Sequence, residues 1–307
     1  MELIRGFLNL RERHWGSVVT IGTFDGIHLG HQALLQRLAK HGARLSRPTM
    51  MLTFEPMPRE FFAPQSPPPR LTSLRERCRV LSGTELDYLW LLRFGERLRN
   101  MTGEAFAQML ARDLRTTLAV VGYDFKFGRG GEGSAAELAE SGRRLGFEVD
   151  IVPPVEMDGA RVSSTGIREV LSRGELEQAR QWLGRPYSMW GRVVRGERLG
   201  RTLGYPTANL RLGRLRSPIN GIFAVRVRWA GAAARSGVAS LGTRPTVNGT
   251  EPLLEVHVFD FAGDLYGREI EVEFVAKLRD EQRFDSVEAM VGQIHRDAAE
   301  ARRILNS

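Results

Sequence analysis

Cysteine is nearly absent from this chain. Cys78 is the only one among 307 residues, so no disulfide can close within the chain and no thiolate zinc cage can be assembled. Lysine is almost as scarce, at positions 40, 126 and 277 only, so nearly all of the 44 basic residues are arginine. No apolar stretch approaches the ~20 residues that a membrane-spanning helix needs. The start, Met-Glu-Leu-Ile-Arg, lacks the apolar region of a signal peptide. There is no G-x-x-x-x-G-K-[ST] loop and no His-Glu-x-x-His zinc motif. These absences predict a cytoplasmic protein with no membrane contact, which binds any ATP without a Walker loop. The net charge is +8 and the pI about 10.3. The arginines are scattered, however, with no basic run of roughly 5–8 residues, which disfavours a nucleic-acid partner. The arginine excess reads as a composition bias.

What is present is ordinary globular material, 42% hydrophobic and 26% charged, in a length that suits two domains. The first half alternates β-type and helical segments. Strands are expected at Val18–Ile21, Thr49–Phe54, Leu86–Phe94, Leu118–Val121 and Phe147–Val152. Helices are expected after Gly30, over 72–81, from Thr102, over Ser134–Leu145 and over 163–184. Alternation of this kind predicts a parallel sheet with crossover helices. Ligands then sit beyond the carboxyl ends of the strands, so the loops after residues 21, 54 and 121 should line one crevice.

The texture changes near residue 185. Short β-type runs follow at Met189–Val194, Ile222–Trp229, Arg235–Leu241, Leu253–Phe259 and Glu269–Lys277, then an amphipathic helix over about Ser286–Leu305. That pattern predicts a small antiparallel barrel closed by a helix. The expected domains are therefore 1–185 and 186–307.

Four segments carry chemistry. Gly22-Thr23-Phe24-Asp25-Gly26-Ile27-His28-Leu29-Gly30-His31 joins the first strand to the first helix. It places backbone N–H groups at a helix N-terminus, where anions bind. His28 and His31, three residues apart, could grip a phosphate whose charge rises during reaction. Arg161-Val162-Ser163-Ser164-Thr165-Gly166-Ile167-Arg168 sets three hydroxyls between two arginines at a helix start. One hydroxyl would suffice as a cap, and the surplus reads as a phosphate cradle. Gly200-Arg201-Thr202-Leu203-Gly204-Tyr205-Pro206-Thr207-Ala208-Asn209 follows a glycine cluster ending at Gly196. Thr207 and Asn209 are neutral oxygen donors with one residue between them, which suits Mg²⁺, although a glycine-rich turn with a polar edge would read the same. Glu255 interrupts the apolar strand Leu253–His257 and is a candidate general base. By contrast, Gly128-Arg129-Gly130-Gly131-Glu132-Gly133 fits G-x-G-x-x-G but starts too far from its strand for a dinucleotide turn. It reads as a flexible loop.

Together these segments resemble the bacterial bifunctional riboflavin kinase/FAD synthetase family over essentially the full length. Gly22 to His31 is similar to the family's nucleotidyltransferase signature. Gly122 to Gly128 and Ser163 to Arg168 resemble two later segments of that domain, and Pro206-Thr207-Ala208-Asn209 resembles the motif of the family's kinase domain. Gly242-Thr243-Arg244-Pro245-Thr246, Asp264-Leu265-Tyr266-Gly267 and Leu278-Arg279-Asp280-Glu281-Gln282-Arg283-Phe284 recur too, the last resembling the segment that closes over the flavin. Three positions depart from the family's pattern: Met57 for a histidine of Pro-His-Pro, Ser240 for asparagine, and Asp124 where some members have asparagine.

The resemblance implies an N-terminal nucleotidyltransferase domain with a Rossmann-like parallel sheet and a C-terminal riboflavin kinase barrel. The kinase would make FMN from riboflavin and ATP with Mg²⁺. The N-terminal domain would make FAD and pyrophosphate from FMN and a second ATP. For adenylyl transfer it implies His28 and His31 as catalytic groups, with Gly22, Thr23, Phe24, Asp25, Gly30, Asp124, Arg161, Ser163, Ser164, Thr165 and Arg168 around ATP. For the kinase it implies Gly196, Arg201, Gly204 and Thr207 around ATP, Thr207 and Asn209 at Mg²⁺, Glu255 as base, and Arg279 and Phe284 at the flavin. No obligate protein partner is implied. Two alternatives are an adenylyltransferase for another phosphorylated acceptor and a basic RNA-associated protein on a decayed scaffold.

Overall fold

The computed structural model describes residues 1–196, 204–246 and 249–306. The chain divides into two compact units, Met1–Pro68 with Arg77–Ser163, and Pro69–Glu76 with Ser164–Ser307.

The first unit is built on a six-stranded sheet in the order Glu2–Arg5, Tyr88–Leu92, Thr49–Phe54, Val18–Ile21, Leu118–Gly122, Glu148–Val152. Every neighbouring pair is parallel. The inner strands are apolar on both faces because helices cover both. Trp90, Leu92, Phe106, Leu110, Leu138 and Phe147 pack on one side, and Phe24, Ile27, Leu35, Leu38, Leu81 and Leu89 on the other. Val18–Ile21 lies between Thr49–Phe54 and Leu118–Gly122, so strand order reverses at its carboxyl end. That switch point is where open α/β sheets hold ligands.

Local signals placed the helices well. Thr102 caps Gly103–Arg112 by accepting the Ala105 N–H at 3.2 Å. Ser134 and Glu137 form a capping box on Ala135–Leu145. The first strand, Glu2–Arg5, is an addition to the expected set; it is short and mostly exposed, so it carries no apolar run. The expected helix over 163–184 is two helices, Ser164–Ser172 and Leu176–Leu183. Gly174 between them has φ +79°, a conformation that only glycine adopts without strain. The 128–133 glycine segment is not a loose loop: a tight 3-10 turn at Arg129–Gly131 joins the paired strands Lys126–Phe127 and Gly133–Ser134.

The second unit holds a closed barrel of six strands in the order Ser188–Val194, Ala208–Arg211, Gly249–Val258, Arg235–Thr246, Gly221–Trp229, Glu269–Arg279. All neighbours are antiparallel. The strand Ala208–Arg211 is one more than the β-type runs predicted; at four residues it is too short to show alternation. The interior is filled by Met189, Phe223, Val225, Leu254, Val256 and Val272, all buried. The helix Val287–Asn306 packs Ala298, Ala301 and Leu305 against Ala224, Val238 and Phe259 of the barrel wall.

A fully buried ion pair lies inside this unit. The Arg214 guanidinium meets the Glu76 carboxylate at 2.6 Å and also donates to the Arg70 and Leu71 carbonyls. Glu76 accepts further N–H bonds from Ser73 at 2.6 Å and Trp190 at 2.7 Å. Thus residues 69–76, distant in sequence, are fastened to the barrel by charge.

Candidate active sites

The loop from Gly22 to His28 turns sharply at the carboxyl end of the central strand. Phe24, Gly26 and Ile27 all have positive φ, at +50°, +89° and +43°. A buried β-branched residue at positive φ is unusual and costs on the order of 1–3 kcal/mol. Burial of Phe24 and Ile27 in the helix-side core holds the turn closed.

The turn ends at His28, which caps the helix Leu29–Leu45 from an extended conformation. One turn on, His31 stacks beneath it, ring centroids 3.6 Å apart and planes 24° apart. Phe24 contacts the far side of His31 at 5.0 Å. Gly30 is small for a specific reason: a Cβ there would meet the His28 ring at 3.1 Å. The two imidazoles are therefore brought together and stacked at the helix start.

Sequence reasoning missed the side chain that braces this turn. Arg77, 1% exposed, donates to the Thr23 carbonyl at 2.7 Å and to Thr53 Oγ1 at 3.2 Å, and pairs with Glu55 at 2.9 Å. One guanidinium thus ties the loop after the first central strand to the end of the next. An arginine in an amphipathic helix gives no sequence signal of burial. Met57 is buried too, so it is not offered to an open crevice; its backbone N–H bonds to Glu60 at 3.0 Å.

Asp124 and Arg161 are ion-paired with each other, and Arg161 lies over the Tyr123 ring at 5.0 Å. Burial works against the Arg161 charge, but the hydrogen bond and charge of Asp124 outweigh it and raise the guanidinium pKa. Ser163 ends the first unit. Ser164 and Thr165 open the helix Ser164–Ser172 of the second unit, where Arg168 Nε donates to the Pro69 carbonyl at 2.6 Å.

In the barrel, register brings three of the expected kinase residues, Asn209, Glu255 and Arg279, into one cross-strand row. Asn209 lies opposite Glu255, Glu255 opposite Ser240, Ser240 opposite Ile222, and Ile222 opposite Arg279. Directly opposed residues share a face, with Cβ atoms about 4.5–5.5 Å apart. Glu255 alternates with buried Leu254 and Val256, so the row lies on the outer face. Thr207 stands just before the strand Ala208–Arg211, two residues from Asn209.

Gly196 packs on Asn209; a Cβ there would fall 2.6 Å from the carboxamide nitrogen. Asn209 and Thr207 offer a carboxamide and a hydroxyl, donor types that suit Mg²⁺, which takes few protein ligands and relies on phosphate oxygens and water. Among the described residues no three His, Cys, Asp or Glu side chains gather into a metal cage. Gly204 is described, in a turn, and Arg201 lies outside the described residues, as do Gly200 to Leu203.

Arg279 is committed to Asp297 of the C-terminal helix through three contacts of 2.7–3.1 Å, and its guanidinium lies 5.8 Å from the Phe284 ring centre. Glu281 sits over Gly242, beside Ser240 at 3.5 Å. Asp297 and Glu281 were not anticipated; one lies in a polar helix face and the other in a charged run.

A parallel sheet with a histidine pair at its switch point, joined to a barrel with a carboxylate and amide in one row, defines a bifunctional transferase acting on phosphates. Residues 10–166 match the FAD synthetase family and residues 183–305 the riboflavin kinase family. The bifunctional riboflavin kinase/FMN adenylyltransferase of Escherichia coli (strain K12) is 45% identical over 304 residues, 98% of this chain and 97% of that protein. Its namesake from Haemophilus influenzae is 41% identical and covers 100% of both chains. A crystal structure from Streptococcus pneumoniae, described as a macrolide-efflux protein, has a TM-score of 0.83 and 32% identity over 98% of this chain and 99% of that one. No helix among the described residues is long and apolar enough to cross a membrane. The chain belongs to the bifunctional riboflavin kinase/FMN adenylyltransferase family.

Proposed function

We propose that this chain phosphorylates riboflavin to FMN in its barrel and joins FMN to AMP in its N-terminal part, giving FAD and pyrophosphate, with ATP as co-substrate in both steps. Adenylyl transfer is assigned to residues 1–185 and phosphoryl transfer to residues 186–307. The observation that carries the reading is the Asn209–Glu255–Ser240 row in a chain similar over its whole length to these bifunctional enzymes.

In the kinase step Glu255 accepts the proton of the riboflavin 5′-hydroxyl as its oxygen attacks the γ-phosphorus of ATP; ADP leaves. Thr207 and Asn209 would hold Mg²⁺, which supplies charge neutralisation at the ATP phosphates. Gly196, Arg201 and Gly204 let backbone and guanidinium approach the nucleotide. Phe284 covers the flavin, and Arg279, held by Asp297, sets the position of that ring.

In the adenylyl step the FMN phosphate is already ionised and attacks the α-phosphorus of ATP directly. His28 and His31 donate to the oxygens whose charge rises in the transition state. The loop Gly22–Asp25 receives the nucleotide, with Gly30 giving His28 its space. Ser163, Ser164, Thr165 and Arg168 hold the departing pyrophosphate, and Asp124 with Arg161 borders the nucleotide. The proposal needs no partner protein, nucleic acid or membrane, and suits a cytoplasmic supply of ATP.

The test is incubation with riboflavin, ATP and Mg²⁺ followed by chromatographic separation of flavins. FMN should appear first and FAD after it. Absence of FMN refutes the kinase assignment; FMN without FAD, even when FMN is supplied, refutes the adenylyltransferase assignment.

A further inference from the structure

The segment Gly204–Thr207 has no regular secondary structure, yet it leads directly into the strand that carries Asn209. Two histidines hold it. His257, two residues along its strand from Glu255, directs Nδ1 to the Pro206 carbonyl at 2.9 Å. A carbonyl only accepts, so that nitrogen carries the hydrogen. His295, on the helix Val287–Asn306, places Nδ1 2.6 Å from the Tyr205 hydroxyl, which donates to it in the tautomer whose hydrogen is on Nε2. The Tyr205 ring lies between the two, meeting His257 at 5.0 Å and His295 at 5.3 Å, both edge to face. It also packs against the core between helix and barrel.

The same helix grips a second segment. Asp297, two residues beyond His295, binds Arg279 where the barrel wall runs into Asp280–Phe284. Residues two apart on a helix do not face the same way. One rigid element therefore reaches the Tyr205–Asn209 side of the row with His295 and the Arg279–Phe284 side with Asp297.

We propose that His295, acting through Tyr205, is a positioning residue for phosphoryl transfer, and that the helix Val287–Asn306 fixes the nucleotide-side segment Tyr205–Asn209 relative to the flavin-side segment Arg279–Phe284. This rests on the kinase reading above. Phosphoryl transfer depends chiefly on placement and charge, and small displacements of a positioning group are costly to such reactions. The hydroxyl–imidazole bond supplies that placement from outside the barrel.

Steady-state kinetics of FMN formation by the full chain test this with Tyr205→Phe, His295→Ala, their combination, and His295→Asn. Each single loss should raise KM for Mg·ATP about 3–10-fold, the worth of one net hydrogen bond, with KM for riboflavin within about twofold. The double variant should be no worse than the weaker single one, because both remove the same bond. His295→Asn, whose Oδ1 takes the place of Nδ1 as acceptor, should restore KM. Conversion of supplied FMN to FAD should be unchanged throughout. Unaltered KM in both single variants, additive losses, no recovery in His295→Asn, or equal loss of both reactions would each overturn the inference. No FMN from the unsubstituted chain would overturn the kinase reading and this inference with it.

Discussion

Asn209 and Glu255 face each other directly across adjacent antiparallel strands of the barrel. The opposition puts a neutral oxygen donor and a carboxylate on one face of the wall, with the Gly196 backbone packed against the amide. A one-residue slip of either strand would turn that residue into the apolar interior, so the apolar alternation of Leu254, Val256 and Val258 fixes the register.

Glu255→Gln keeps the shape and removes the proton acceptor. FMN formation should fall by roughly 10²–10⁴-fold, with flavin binding by fluorescence quenching little altered. Asn209→Ala should instead raise the Mg²⁺ concentration needed for half-maximal rate. Full activity in the Gln variant would remove Glu255 from the proposed chemistry.

The stacked histidines predict a loss confined to the other reaction. His28→Ala or His31→Ala should lower FAD formation from FMN by ~10²–10³-fold, as for a lost transition-state donor. FMN formation should be unchanged in the same preparations. Gly30→Ala should mimic His28→Ala more weakly, because the new methyl displaces the ring rather than removing it.

Arg77 separates support from chemistry. Arg77→Ala removes the guanidinium that pairs with Glu55 and should cost ~3 kcal/mol, the low end for a broken buried pair, since Glu55 is partly exposed. Arg77→Met refills the volume. If its urea midpoint recovers while KM for ATP in FAD formation stays raised, the guanidinium positions the Thr23 loop. Recovery of both would make Arg77 a packing residue only.

Cutting the chain at residue 185 should be harmful for an electrostatic reason. Residues 186–307 retain buried Arg214 and lose Glu76. A buried charge that loses its ion-pair partner costs ~3–5 kcal/mol, a large share of a small domain's stability. The fragment should melt early by circular dichroism, and Arg214→Met within it should raise the midpoint. A fragment as stable with Arg214 as with Met would show that water reaches the guanidinium.

His14 gives the protein an acid sensitivity. The ring is fully buried, and Nδ1 accepts the Arg11 backbone N–H at 2.9 Å. Burial, then the Arg13 charge, depress its pKa below 6.5, with Glu2 opposing. The unfolded chain therefore binds the extra proton first as pH falls below 6.5, so stability drops from there down to the folded pKa. Urea titrations at pH 7.5 and 5.5 should show the loss, and His14→Gln should reduce it.

The histidine motif, the alternation of strand and helix, the helix starts at Thr102 and Ser134, and the short strands of the second half were all legible because each depends on neighbours within a few residues. Periodicity also showed that Glu255 interrupts an apolar strand. It could not show that Asn209 stands opposite it, since strand pairing is a long-range property. Nor could the sequence foretell that Arg77 and Arg214 would be buried. An arginine on a helix or in a loop reads as solvated, and only the arrival of Thr23 and Glu55 at one, and of Glu76 at the other, makes burial affordable. The composition and local patterns of this chain determined which elements form and which residues could do chemistry. The tertiary structure decided which of them meet, because contacts between distant segments depend on register, packing and desolvation that no single stretch of sequence contains.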